Sequence, residues 1–178
     1  MPIPARGLLN WQFELTWAPA EVHLNALTED DFLWRPAPVV WTVHRGEDGR
    51  WRPDWAEIEP DPMPAPTVAW LSWHIDWWWG TALAHLEGRE PTPREQVCWP
   101  GTGAAALQRL RALRTAWAAA LDASDDATLE APSAYPWPAE AGLTVAHLAD
   151  WVNAELLKNV AEIGQLRIVR AASLACQS

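Results

Sequence analysis

Three residues in this chain have the types and spacing to do chemistry together. Glu155 and Asn159 lie one helical turn apart in Val152-Asn153-Ala154-Glu155-Leu156-Leu157-Lys158-Asn159, and His74 stands in Trp70-Leu71-Ser72-Trp73-His74-Ile75. Leu148, Val152, Glu155, Asn159, Glu162 or Ile163 and Leu166 recur at steps of three and four, so they share one helical seam. The seam is apolar at both ends and should face a core. A carboxylate in its middle needs a partner or a cation, because a lone buried charge is costly. His74 from a second helix would complete a three-donor cluster suited to a divalent metal. The other reading is a buried Glu155–His74 ion pair with Asn159 completing its hydrogen bonds, and Lys158 is a second partner within reach of Glu155.

The elements that must position these groups are helices. The first long helix is predicted over 6–27, with Leu8, Trp11, Leu15, Ala18 and Val22 as its apolar seam and Pro19 as a kink or break. His23 on this helix reads as an edge or surface histidine. Thr28-Glu29-Asp30-Asp31 resembles a capping box, and Asp125-Asp126 likewise reads as helix capping. From Arg35 to Pro66 no period survives. Prolines and the turn-forming Glu47-Asp48-Gly49 surround Trp41, Trp51 and Trp55, which suggests a loop acting as a lid, with His44 plainly exposed.

A second helix is expected from Pro66 to about Gly88, with the stripe Val68, Leu71, Ile75, Trp78, Ala82 and Leu86. Trp70, Trp73, Trp77 and Trp79 make it apolar nearly all round, so helix-mates or a dimer partner should cover the extra face. A third helix should run from Gly103 to Leu121, its Arg109, Arg111 and Arg114 forming a solvated face. A fourth starts at Thr144 and reaches about Ala172. Four long helices without convincing strands predict an all-α four-helix bundle, one domain over 1–178, with a long Pro/Trp-rich loop between the first two long helices.

Composition narrows the function. Fifteen tryptophans in 178 residues suggest aromatic-lined pockets or interfaces. A net charge of −10 argues against a nucleic-acid partner. No run of eighteen apolar residues predicts a membrane span. Cys98 and Cys176 form neither a disulfide framework nor a zinc knuckle, and the start Met1-Pro2-Ile3-Pro4-Ala5-Arg6 lacks a signal-peptide pattern, so a cytoplasmic protein is expected. Phosphate-binding glycine loops, HExxH and GxSxG are absent from the sequence.

The order of four stretches resembles the DinB-like superfamily. They are Leu27-Thr28-Glu29-Asp30-Asp31-Phe32-Leu33-Trp34-Arg35-Pro36, Val68 through Ile75, Trp99-Pro100-Gly101-Thr102, and Val152-Asn153-Ala154-Glu155 through Ala161-Glu162-Ile163-Gly164. The resemblance implies a bundle, often a homodimer, with zinc or nickel held by a histidine of the second helix and two of the fourth. It also implies use of a low-molecular-weight thiol as cofactor. Carried over, the metal ligands fall on His74, Glu155 and Asn159. The carboxylate is a competent ligand and the amide a weak one, so the site is weakened. The implied function is a metal-dependent S-transferase or hydrolase acting on a small molecule. The alternative is an inactive relative that binds a small molecule without metal.

Overall fold

The computed structural model describes residues 5–176. Residues 1–4, on which the absence of a signal peptide was partly read, lie outside them. Four long helices carry the fold: α1 (Ala5–Asn25), α3 (Val68–Leu86), α4 (Gly103–Ala123) and α6 (Val145–Ala175), with two short ones, α2 (Glu29–Phe32) and α5 (Asp126–Glu130). Helix α1 packs on α6 and α4, and α3 on α4 and α6, so the four long helices enclose one core. Thr67, Thr102 and Thr144 sit at the N-caps of α3, α4 and α6; the Thr67 and Thr102 hydroxyls accept from Trp70 N and Ala105 N. Helix α3 therefore begins after Thr67, two residues later than Pro66.

The expected stripe of α3 is the buried one: Val68, Leu71, Ile75, Trp78 and Ala82 all lie in the core. Helix α1 differs. Its buried residues are Leu9, Phe13, Thr16, Trp17, Ala20 and Leu24, whereas Leu8, Trp11, Leu15 and Val22 are exposed. Both sets recur at helical spacing, so periodicity alone could not choose between them. The helix also runs unbroken through Pro19. Its close approach to α6 depends on Gly164, where a Cβ would come within 2.9 Å of three ring atoms of His23. His23 is accordingly half-buried, an edge and not a surface histidine, with Nδ1 enclosed and without a hydrogen-bond partner among the described residues.

The segment after α2 is not strand-free. Strand β1 (Val40–Trp41) pairs in parallel with β4 (Ala65–Pro66), and β2 (Val43–Arg45) pairs antiparallel with β3 (Trp51–Pro53), with His44 opposite Arg52. Strands of two or three residues are too short to leave an alternating pattern in the sequence. Gly49 closes the β2–β3 turn at φ +79, a left-handed conformation that glycine adopts without strain. His44 bonds Asp54 through Nε2 at 2.9 Å, so it is exposed but not idle.

The tryptophans of this segment cover α3. Trp41 stacks on Trp70 at 4.9 Å between ring centroids, and Trp55 meets Trp73 and Trp77 edge-on at 6.1 and 5.2 Å. The indole N–H of Trp70 donates to Asp54 O at 2.8 Å, that of Trp73 to Val97 O at 2.7 Å, and that of Trp99 to Ser72 Oγ at 3.0 Å. Much of the extra apolar face of α3 is thus covered by its own chain.

The arginines of α4 likewise do more than face solvent. Arg109 pairs with Asp76, Arg111 with Glu21, and Arg114 with Glu14, so they tie α4 to α3 and α1. The capping expectations hold: Asp31 accepts from Thr28 N and Oγ1 at 2.6 and 2.7 Å, and Asp125 accepts from Thr128 N at 2.8 Å.

Candidate functional site

His74 projects from the middle of α3 toward the segment that covers it. Its ring lies parallel to that of Trp70, centroids 4.8 Å apart at 14°, and Trp70 is in turn faced by Trp41. The three rings form a continuous stack. Nδ1 of His74 is enclosed without a hydrogen-bond partner. Burial, and then the charge of Lys158, push the imidazole pKa down to about 4. The ring is therefore neutral at physiological pH.

Helix α6 brings three groups to the same place. Lys158, Asn159 and Glu162 line a cavity of about 370 Å³ together with His74, and Trp41, Trp55 and Trp70 supply much of its wall. Asn159 is buried, and both ends of its amide are engaged. Oδ1 accepts from Trp78 Nε1 at 3.0 Å, and Nδ2 donates to Glu162 Oε2 at 3.1 Å.

Glu155 is placed differently from the expected seam position. Its carboxylate pairs with Lys158 at 2.6 Å and keeps a quarter of its side chain exposed. It does not appear among the groups lining the cavity beside His74. Its charge instead acts on Tyr135, whose hydroxyl pKa is raised first by burial and then by Glu155. Leu156, one position along, takes the buried place. Of the three expected ligands, then, His74 and Asn159 share the cavity. The two α6 groups at i, i+4 spacing that face it are Lys158 and Glu162.

The sequence carried a trace of this arrangement. Lys158 and Glu162 are one turn apart, three residues on from the Glu155–Asn159 pair, and Glu162 already belonged to the seam. A shift of three residues turns a helix by about 300°, a net 60° from the starting face, which the apolar pattern does not resolve.

As a metal centre, this donor set does not fit. Among the described residues no three His, Cys, Asp or Glu side chains come together as a metal cluster. His74 and Glu162 are suitable donors. Glu57 and Glu59 of the covering segment also line the cavity, but they do not converge with these two into a cluster. Lys158, paired with Glu155, adds a positive charge that repels a divalent cation, and the amide oxygen of Asn159 already accepts an indole N–H.

What the arrangement offers is a pocket with a flat aromatic wall and a polar end. Around it stand the neutral His74 imidazole, Asn159, the acidic residues Glu57, Glu59 and Glu162, and Lys158, whose ammonium pairs with Glu155. No helix of the described residues is long and apolar enough to cross a membrane. No curated protein matches the chain. The family model for the DinB superfamily matches residues 12–163, nearly the whole of the helical core just described, and the chain belongs to that superfamily.

Proposed function

We propose that this chain is a DinB four-helix bundle that binds a small organic molecule in the cavity beside His74, without a resident metal. The observation that carries this reading is the lining beside His74, where the α6 residue one turn from Glu162 is Lys158, a cation paired with Glu155, and not a metal-binding side chain. Burial first, and then the positive charge of Lys158, keep the imidazole unprotonated. The tryptophan wall supplies apolar, planar contact, and the polar groups of the lining fix orientation. The ligand expected from this lining is small and flat or apolar, with a hydrogen-bonding group at one end.

The test is elemental analysis of purified, untagged protein before and after mild chelation, beside His74→Ala. The proposal expects no stoichiometric zinc or nickel in the parent, even after incubation with either ion. Near-stoichiometric metal that disappears in His74→Ala would overturn it in favour of a metal-dependent enzyme. Ligand-observed NMR with a library of planar fragments then probes the cavity, and hits are expected to weaken in His74→Phe.

A further inference from the structure

A second, larger cavity lies on the other side of α3, between α3 and α4 and beneath the segment 89–100. It measures about 710 Å³ and shares no lining residue with the cavity beside His74. Its polar centre is Asp76. The side chain of Asp76 is only 9% exposed, yet one carboxylate oxygen alone has a protein partner, Arg109 Nε at 2.8 Å. The other oxygen makes no hydrogen bond among the described residues. That oxygen is not enclosed, so it is open to whatever enters the cavity. Burial raises the Asp76 pKa even against the opposing effect of Arg109, so the neighbouring guanidinium does not fully compensate the charge.

Arg109 in turn uses only Nε on Asp76, which leaves its two terminal nitrogens for another acceptor. Arg89 lines the same cavity, its guanidinium shared with Glu87. The floor is apolar, made by Leu83, Ala84, Leu113 and Ala116. Gly80, in the middle of α3, adds to the floor, and a Cβ built there meets nothing within 4 Å. A glycine inside a helix costs about 1 kcal/mol relative to alanine. Neither backbone conformation nor packing requires it at this position. Its effect is to keep the floor open.

We infer that this cleft is a binding site for a free α-amino acid with an apolar side chain. The ammonium would donate to the unpartnered oxygen of Asp76. The carboxylate would meet the terminal nitrogens of Arg109, with Arg89 adding positive charge. The side chain would lie on the floor over Gly80. One acceptor and one cationic donor already joined to each other present opposite charges a few ångströms apart, which is the pattern of a zwitterion and not of a simple anion or amine. The inference is independent of the reading of the other cavity.

The test is isothermal titration of the intact protein with L-leucine, L-methionine and L-phenylalanine, beside isopentylamine and 4-methylpentanoate, which each lack one charge of leucine. The expected result is binding of at least one amino acid and a loss of about tenfold or more for both leucine analogues. Gly80→Leu should abolish binding by filling the floor, and Arg109→Met, at an exposed side chain, should weaken it by about tenfold or more. Circular dichroism checks that each variant is folded. Absence of binding by all three amino acids overturns the inference. So does binding that survives Gly80→Leu and Arg109→Met, or that is lost in His74→Phe and therefore belongs to the other cavity.

Discussion

The indole N–H of Trp78 donates to the amide oxygen of Asn159 at 3.0 Å, joining the cores of α3 and α6 through two buried side chains. Both residues lie on expected seams, and the bond occupies one of the two acceptor sites of the oxygen that Asn159 had to offer a metal.

Replacing Asn159 by histidine is therefore expected not to create a zinc site. Asn159→His deprives Trp78 Nε1 of its acceptor and should cost about 1–3 kcal/mol of stability, with zinc affinity no higher than in the parent. Lys158→His is the contrasting variant. It replaces the ammonium with an imidazole one turn from Glu162 on the cavity beside His74, and it should bind zinc measurably where the parent does not. Calorimetric titration with zinc, read beside urea unfolding, separates the two.

Stability should fall on mild acidification because of His74. The ring stays neutral in the folded protein down to about pH 4, while in the unfolded chain it takes up a proton near pH 6.5. In that window the unfolded state binds more protons, so stability drops as pH falls, by about 3 kcal/mol in all. His74→Phe should remove this part of the slope. Urea midpoints at pH 7, 5.5 and 4.5 for parent and variant measure it. Equal slopes would show that the imidazole is not held neutral.

Gly103→Ala should destabilise the protein by about 2 kcal/mol or more, despite the higher helix propensity of alanine. A Cβ there would lie 2.2 Å from the ring of Phe32, which is buried against Trp99. The amide of Gly103 also donates to the Glu29 carboxylate at 2.8 Å, so displacement would disturb the junction of α2 with α4. Thermal unfolding of the single variant is a sufficient check. A rise in Tm would mean that Phe32 repacks without strain.

Arg170→Met should lower stability by about 2 kcal/mol, because its guanidinium binds the largely buried Asp31 carboxylate at 2.6 Å. Burial raises the Asp31 pKa, but the Thr28 amide and hydroxyl and then Arg170 outweigh it and lower the pKa overall. The pair's contribution is present above the ordinary carboxylate range and is lost as pH falls below it. The parent and Arg170→Met should accordingly converge in stability toward acid pH. A constant gap between them would sink this account.

Much of the fold was legible where one apolar stripe had no rival. On α3 the stripe that the spacing selects is buried, though Trp70, Trp73 and Trp79 are buried beside it, and α6 starts at Thr144 as expected. On α1 two stripes compete, and only the packing against α6 decides that Phe13 and Trp17 go inward while Trp11 stays out. At the site, residue types pointed to His74 and to its counterpart on α6, since a polar group on a seam must be accounted for. Which turn of α6 faces His74 was not legible. It depends on the rotation of the helix, which Leu156 and Ile163 set through burial, and on the Glu155–Lys158 pair that draws the carboxylate aside. The α3–α4 cleft left only a faint trace, an otherwise unneeded Gly80 within a tryptophan-rich helix.

The indole hydrogen bonds that fasten the segment between α2 and α3 bear on how it can move. Its backbone reaches α3 through Trp70 Nε1 to Asp54 O and through Thr67 N to Trp41 O at 2.9 Å, while Trp41 and Trp55 lie flat or edge-on against rings of the helix. Peeling the segment away would wet several indole faces at once and leave the Trp70 donor without its acceptor. A hinged flap opens at low free energy; this one opens only at a cost that approaches melting of the core. In native-state hydrogen exchange, the amides of Thr42, Asp54 and Thr67 should therefore be released together with those of α3, as members of one cooperative unit. A ligand for the cavity beside His74 must then enter through a standing opening, at a rate set by diffusion and not by gating.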